Sequence, residues 1–478
     1  MTALVLVLVP ALAAAALLAT GAKRVAMPVL LAVTAALCGI AVHEVAAPDG
    51  TPVLGGALRI DGTARLFLVV IEPIALGVAL YVWNRTRTTP SVAGLAARFA
   101  VPALAFVAAA NATLVSQDLL VAWVALEASA LAAAPMIVRP GVRSSVQASW
   151  RYLLFSVVGL GLALLGFVAL GRGLVAEGQV PSFLVDQLPS LVHGPPSHWR
   201  TLGVALLVLG LGAKVGLAPL HAWLPEAYDE APPAVTTLLA AVQSNCALVV
   251  LFRVVGALRG GNEDLVSGEL VVLGLLSMAV STAHIVATRN LERLVAYASI
   301  NHAGVIAIGL GIGGPAAYGL LLYVVSNAFI KAMLFLTAGK IESHFGTKDT
   351  RRVSGLIRDL PVSGIFLMVG TFALLGLPPF GSFLGELLIL SALVSTGRLV
   401  VFAAFCALIA MTFVATGRTI FPMIWGQPTQ PRTWPRQTVA SAAPKILFVT
   451  VLVVLGVYIP QPAGALLAEV AATLGGAR

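Results

Sequence analysis

Charge is scarce in this sequence. Of 478 residues, 29 are Lys or Arg and 20 are Asp or Glu, which makes 10% of the chain, whereas 59% are hydrophobic. The mean hydropathy is +0.98. A soluble globular protein needs far more charge on its surface than this. The composition therefore excludes that class and indicates one bundle of many helices whose solvent is mostly lipid.

Cysteine is equally rare. The three cysteines, Cys38, Cys246 and Cys406, stand inside apolar runs without CxxC spacing. This predicts neither disulfides nor zinc, haem or iron–sulfur ligation, so we expect no metal and no cofactor. The net charge of +9 raises the question of a nucleic-acid partner. Because the basic residues lie in short segments between apolar runs, none is predicted.

Apolar runs of about 20 residues, the length that crosses a bilayer, follow one another along the chain. They predict an all-α polytopic membrane protein with about fourteen transmembrane helices. The predicted spans are 2–20, 27–47, 66–83, 99–115, 119–138, 149–171, 201–222, 232–257, 268–288, 294–312, 315–339, 361–396, 399–421 and 443–466. The first run could instead be a cleaved signal peptide, although no basic segment precedes it.

Most of the 29 basic residues fall in the loops of one side of this predicted topology. Basic loops face the cytoplasm. We therefore predict a multi-pass protein of a prokaryotic cytoplasmic (inner) membrane with both termini outside.

Two proline-containing breaks interrupt the spans. One is "GLAPLHAWLPEAYDEAPP", with Pro219 and Pro225, and the other is "GLPPFGSF", with Pro378 and Pro379, in the middle of 361–396. Proline removes a backbone donor, and unpaired backbone at membrane depth is tolerated only where it meets protein or water. Broken helices mark the central sites of many transporters, so these breaks predict two broken helices at a functional site.

The two breaks also predict an internal repeat. "GLAP" at 216–219 and "GLPP" at 376–379 are 160 residues apart, and five predicted spans surround each. Because five is odd, two such units in tandem face opposite ways across the membrane. The predicted organisation is an N-terminal three-helix segment (1–98), two inverted five-helix repeats (99–257 and 268–421) and a C-terminal helix and tail (422–478).

Four ionisable residues lie deep in the predicted spans. They are Glu127 in "AWVALEASALAAAP", Lys214 in "GLGAKVGLAPL", Lys331 in "SNAFIKAMLFLTAG" and Glu386 in "PPFGSFLGELLIL". A charge at the bilayer centre costs about 2.5–3.5 kcal/mol even on the lenient insertion scale, which makes each a functional candidate. With His302 in "SINHAGVIAIG", they are the kinds of group that a proton pathway needs.

Plainer interpretations stay open for each candidate. Glu127 and Lys214 could form a static ion pair that only fixes helix packing. Glu386 could cap the second half of its broken helix, and Lys331 could extend toward the membrane surface. His302 could be a packed polar residue.

The motifs "KVGLAPLHAWLPEAYDEAPPAV", "AYASINHAGVIAIG", "NAFIKAMLFLTAG" and "GLPPFGSFLGELLIL" occur in this order. In them the sequence resembles the antiporter-like membrane subunits of respiratory complex I, multisubunit Na⁺/H⁺ antiporters and group-4 energy-converting hydrogenases. The likeness is greatest, in motif, to formate-hydrogenlyase-type complexes. It implies fourteen helices, inverted five-helix repeats and broken seventh and twelfth helices.

The resemblance also implies roles. It makes Lys214 a titrating base modulated by Glu127, Lys331 a relay between the halves and Glu386 the exit-side site, and it places His302 where histidine is common. The proposed relay or water-holding positions are His221, Asn245 and Asn327. Asn245 and Asn327 replace residues that titrate in many relatives, and an amide cannot relay a proton by titrating.

The implied function is that of a proton-translocating, or cation/proton-translocating, subunit driven by a partner redox module. Its expected partners are other membrane subunits, protons, possibly Na⁺, and lipid, and it has no redox chemistry of its own. Three alternatives stay open: a subunit of a Na⁺/H⁺ antiporter, a subunit of an inorganic-carbon uptake system, and a non-conducting scaffold. A standalone transporter of organic solutes is less favoured because no span offers a large polar site.

Overall fold

A computed structural model describes residues 1–88, 93–176, 182–188, 198–427 and 439–475. Within these ranges the secondary structure is helical, with four isolated β-bridges and no strand. The prediction of an all-α membrane protein is confirmed.

The first part of the chain forms three helices, followed by a longer series that includes the first break. The helices are α1 (Thr2–Thr20), α2 (Ala26–Glu44), α3 (Gly62–Thr88), α4 (Ala93–Val115), α5 (Leu119–Ile137), α6 (Arg143–Ala176), α7 (His198–Val215), α8 (Trp223–Glu230) and α9 (Pro233–Thr237). A π-helical turn, Leu238–Gln243, follows α9 without interruption. Such turns are rare and are frequently found at functional sites.

The remaining helices include the second break. They are α10 (Ser244–Ala287), α11 (Leu291–Ile312), α12 (Gly314–Phe345), α13 (Leu356–Asp359), α14 (Pro361–Leu374), α15 (Gly381–Ser395), α16 (Leu399–Trp425), α17 (Val439–Val457) and α18 (Gln461–Leu474). The π-helical turn, α11 and α12 are buried over most of their length. They form the centre of the molecule, whereas one face of α1, α5, α6 and α16 is exposed, as expected of helices that meet lipid.

Both predicted breaks are present. The first separates α7 from α8 at residues 216–222 and the second separates α14 from α15 at residues 375–380. Each contains a glycine with positive φ within its first two residues, Gly216 at +105° and Gly376 at +64°. A proline follows three residues later in both, Pro219 and Pro379. Pro225, by contrast, lies within α8 and does not interrupt it.

Several predicted spans end at the wrong residues. The span 201–222 ends at Val215, because Gly216 leaves the helical conformation. The span 443–466 contains a bend of 74° between α17 and α18, where Pro460 cannot continue the helix. The predicted gap between 232–257 and 268–288 lies inside the single helix α10. The segments Pro233–Leu258 and Asp264–Ala287 are nevertheless each long enough to cross a membrane.

Eleven described helical segments are long and apolar enough to cross a membrane, and the bent pair α17–α18 makes twelve. Neither of the two broken helices contains a continuous helical segment that is counted among them. The count of fourteen therefore stays a prediction.

The two predicted repeats share a local feature. Asp118 caps α5 and Asn290 caps α11 through the same pair of backbone amides, those two and three residues further on. Each cap residue also forms an isolated antiparallel bridge with the loop that follows the next helix, Asp118 with Leu184 and Asn290 with Asp349. A repeat of 99–257 in 268–421 would produce such a pair. The domain division itself stays a prediction, and residues 89–92, 177–181, 189–197, 428–438 and 476–478 lie outside the described part.

Candidate functional site

Lys214 lies in the last turn of α7, next to the first break, and only 3% of it is exposed. The helix containing it packs closely on α6. A Cβ at Gly210 would lie 2.5 Å from the backbone nitrogen of Ala163, so only glycine permits this approach. Small residues at such crossings bring the backbones of membrane helices together, and here they bring α6 within reach of the lysine.

Two side chains of α6 contact the ammonium group of Lys214. Lys214 Nζ donates a hydrogen bond of 2.5 Å to Ser156 Oγ and lies 5.1 Å from the ring centroid of Tyr152. Tyr152 in turn donates to Gln243 Oε1 at 2.8 Å, and Gln243 Nε2 donates to Ser129 Oγ at 3.0 Å. Gln243 is the last residue of the π-helical turn. A continuous polar network thus runs from the lysine into the buried centre of the bundle.

Glu127 of α5 is close enough to Lys214 for their charges to interact. The two side chains nevertheless form no direct ion pair in the described part of the chain, and Glu127 Oε2 is buried without a hydrogen-bond partner. The static ion-pair interpretation is therefore wrong for this structure.

His302 of α11 is 5% exposed and contacts Tyr323 of α12. The Tyr323 hydroxyl and His302 Nδ1 are 2.5 Å apart, and the two rings stack at 5.4 Å. Lys331 of α12 lies close enough to act on the charge of His302. Only 5% of Lys331 is exposed, so its side chain does not extend to the surface.

Glu386 of α15 reaches back to the second break. A Cβ at Gly376 would stand 2.6 Å from Glu386 Oε2. α15 has no side-chain cap, so the capping interpretation of Glu386 is wrong. The carboxyl lines a cavity of about 20 Å³ together with His302, Tyr323 and Asn301. A space of that size holds about one water molecule, and it joins the central histidine to the carboxyl.

The three relay or water-holding positions differ in their surroundings. Asn245 Nδ2 donates to Ala241 O of its own helix at 2.6 Å. Asn327 Oδ1 is buried without a hydrogen-bond partner. His221 is only partly buried, near His284 at the edge of the break. The structure does not bring His221 together with Lys214 by any hydrogen bond.

α8, which follows the first break, carries an acidic cluster. Asp229 accepts from Arg293 at 2.6 Å and from Asn290 at 2.8 Å, and it pairs with Lys348 at 3.1 Å. Burial alone would raise the pKa of Asp229, but Lys348 and the two hydrogen bonds hold it below its usual value. Burial would likewise lower the pKa of Lys348, but Glu292 and Asp229 raise it above its usual value. The cluster ties α8 to the start of α11.

Two further pairs tie α8 to basic residues just before α6 and within its first turns. Arg151 lies 2.5 Å from Glu226, and Arg139 lies 4.0 Å from Glu230.

We expect Gly376→Ala to disturb the site. Alanine at this position must adopt the φ of +64° that glycine has here, and its methyl group displaces the Glu386 carboxyl. Gly397→Ala is the matched control, because φ is +71° there but nothing lies within 4 Å. Both should lose about 1–2 kcal/mol for the left-handed conformation, measured by thermal unfolding in detergent. Only Gly376→Ala should also slow proton transport, and equal transport in the two variants would contradict the placement of Glu386.

Several residues of the site were missed from the sequence. Ser156, Tyr152, Gln243 and Tyr323 are ordinary polar residues in apolar helices, and only tertiary packing gives them a partner. Glu72 is different, because it stands in the predicted span 66–83 as an acid in an apolar run. That signal, used for Glu127, would have found it.

The fold and this pair of sites define a class of ion-translocating membrane subunits. The family described as "NADH:quinone oxidoreductase/Mrp antiporter, TM" matches residues 116–412, which is more than half of the chain. The chain belongs to this family.

Two curated relatives illustrate its range. A hydrogenase-4 component F homolog of Methylacidiphilum infernorum is 31% identical over 355 residues, covering 73% of this chain and 74% of the relative. NADH-quinone oxidoreductase subunit N of Desulforudis audaxviator is 31% identical over 314 residues, covering 64% of this chain and 60% of the relative.

Solved structures share the fold over nearly the whole length. A chain of the archaeal membrane-bound sulfane sulfur reductase has a TM-score of 0.87 at 22% identity, covering 99% of this chain and 97% of the other. A chain of the Mrp complex from Dietzia sp. DQ12-45-1b gives 0.87 at 21%, with the same coverage. A chain of respiratory complex I from Thermus thermophilus gives 0.80 at 23%, covering 99% and 100%.

Proposed function

We propose that this chain is a proton-translocating subunit of a multisubunit membrane complex. The observation that carries the proposal is Lys214, a buried lysine beside a helix break whose ammonium is held by a neutral hydroxyl and a ring while Glu127 acts on it from a distance. A buried lysine changes its charge readily, and a nearby acid that is not bonded to it shifts that equilibrium without fixing it.

The route that we propose runs through both repeats. A proton held at Lys214 passes through the centre to Lys331 and His302, and leaves by way of Glu386 at the second break. Direct hydrogen bonds reach only about 3.2 Å, so water completes the route near Asn245 and Asn327. The unpartnered Oδ1 of Asn327 supports a water-holding role there.

The subunit's energy comes, in this proposal, from partners. The two curated relatives are named as a hydrogenase-4 component and a subunit of NADH-quinone oxidoreductase. We therefore propose a redox module as the driver, with other membrane subunits between it and this chain. An antiporter subunit without redox partners is the second candidate, supported by the fold shared with the Mrp complex.

Purification through a tag on this chain tests the proposal. The co-purifying subunits identify the driver, and the complex is then reconstituted in proteoliposomes with a pH-sensitive dye inside. We expect acidification or alkalinisation that depends on the driving reaction. If the chain is only a scaffold, the same subunits assemble with it. In that case a variant without Lys214 moves the same number of protons per turnover as the wild type.

We also propose a cytoplasmic membrane location with both termini outside. Asp229 is buried, so exposed positions serve as probes: Arg87 and Arg351 on the proposed inner side and Leu54 on the outer side. In a chain without its native cysteines, single cysteines at Arg87 and Arg351 should resist an impermeant maleimide in whole cells. A cysteine at Leu54 should react. Labelling of Arg87 and Arg351 from opposite sides would contradict the topology.

A further inference from the structure

A second buried acid lies outside the route proposed above. Glu72 stands in the middle of α3, directly before Pro73, and none of it is exposed. An ionisable residue at membrane depth is expensive to keep there and is a functional candidate by default. Neither repeat contains this residue, since α3 belongs to the N-terminal three-helix segment.

The buried oxygen atoms at and around Glu72 lack hydrogen-bond donors. Both of its carboxyl oxygens are buried without a partner, and so is Oδ1 of Asn111, whose amide lies beside the carboxyl. Asn111 Nδ2 donates instead to Leu6 O of α1 at 3.0 Å. That carbonyl is available because Pro10, four residues later in α1, has no N–H to bond it. None of these three buried acceptor oxygens has a donor at hydrogen-bonding distance, although the Asn111 side chain lies next to the Glu72 carboxyl.

The other groups that face Glu72 supply no charge to balance it. They are the thiols of Cys38 in α2 and Cys246 in α10. The Cys246 Sγ contacts Ala110 O of α4 at 3.8 Å. In the described part of the chain no lysine, arginine or histidine acts on the carboxyl. An unpaired buried carboxylate is strongly disfavoured.

A proton on the Glu72 carboxyl would supply one of the missing donors. A protonated carboxyl has one O–H donor, and the neighbouring Asn111 side chain has in Oδ1 an acceptor without a partner. A hard divalent cation is a poorer fit, because it takes six or more oxygen ligands and the site offers three. The proton would sit against α10 at Cys246, the residue that follows Asn245 in the chain.

We propose that Glu72 is a protonation site of this chain, which holds an exchangeable proton against Asn111 and passes it to the route beside Asn245. The second part of this statement rests on the proposed function, whereas the protonation itself does not. The carboxyl on α3 would then supply a titrating group that Asn245 lacks.

Infrared difference spectroscopy of the purified complex tests the proposal. We expect the wild type to show a carbonyl-stretch band of a protonated carboxyl that is lost in Glu72→Gln and that shifts in D₂O. The matched control is Glu269→Gln, a partly buried carboxyl of α10 with one unpartnered oxygen, which should leave that band in place. Asn111→Leu, which keeps the carboxyl but removes its acceptor, should move the band.

Proton transport by the same preparations completes the test. We expect Glu72→Gln to slow transport while the complex still assembles. The proposal is overturned if no band is lost in Glu72→Gln, if the band does not exchange in D₂O, or if Glu72→Gln transports at the wild-type rate. If Glu72→Gln does not assemble, Asn111→Leu takes its place, and an unmoved band overturns the proposal. A wild type with an exchanging band but no transport would instead count against the proposed function.

Discussion

Lys214→Met should reduce proton transport to the level of the passive leak. Methionine fills nearly the same volume without a charge, so Ser156 and Tyr152 keep their packing but lose the group that they receive. No other ionisable side chain donates to Ser156 in the described part of the chain. The measurement is the initial rate of dye response in proteoliposomes, with assembly verified by co-purification.

Lys445→Met is the matched control for this result. Lys445 of α17 is also 3% exposed and also lies against a ring, with Nζ 4.9 Å from the centroid of Phe366. It stands at neither helix break, and we expect its variant to transport protons. Transport by Lys214→Met at the wild-type rate would refute the assignment. Equal loss in both variants would mean that removing any buried lysine disables the complex.

The position of Lys214 relative to the break could be predicted from the sequence, but its partners could not. Gly216 and Pro219 are local signals, because they act on the backbone of their own segment. Ser156 and Tyr152 are 58 and 62 residues away in α6, and their contact depends on how closely α6 and α7 approach. A single sequence carries no direct sign of that distance. The π-helical turn that places Gln243 has no local signature either.

Two other features were missed although the sequence contains a local signal for each of them. Pro460 and Pro462 mark the bend that the span 443–466 ignored, and Glu72 satisfied the rule that identified Glu127. The π-helical turn and α10 show the opposite case, since Pro233–Leu258 is entirely buried and apolar, and hydropathy alone cannot distinguish a central helix from a lipid-facing one. Hydropathy thus predicted where helices lie but not which of them surround the ionisable residues.

The second half of the site makes the larger demand on water. Lys331 acts on the charge of His302, and Glu386 lines the cavity of about 20 Å³ beside the His302–Tyr323 pair, which is the space available for a bridging molecule. Asn301 borders the same cavity and donates to Thr412 Oγ1 at 3.2 Å. These polar groups keep the cavity wettable. In the proposed route, proton exit depends on the Glu386 carboxyl that lines this cavity.

Glu386→Gln should stop steady-state proton transport. Glutamine has the same shape and still fits against Gly376, but it cannot accept or release a proton. Glu269→Gln is the matched control, because that partly buried carboxyl stands in α10 away from both breaks. We expect its variant to transport protons, and loss of transport in both would point to a general requirement for buried carboxyls.

A fast measurement separates Glu386 from Lys214. With Glu386→Gln the first half can still load a proton once, so a single transient charge movement should follow the start of the driving reaction. With Lys214→Met that transient should vanish together with steady-state transport, because the loading site itself is lost. Electrometric recording on supported membranes resolves the two signals. If Glu386→Gln abolished the transient as well, exit and loading would not be separate steps, and the order of sites from Lys214 to Glu386 would be wrong.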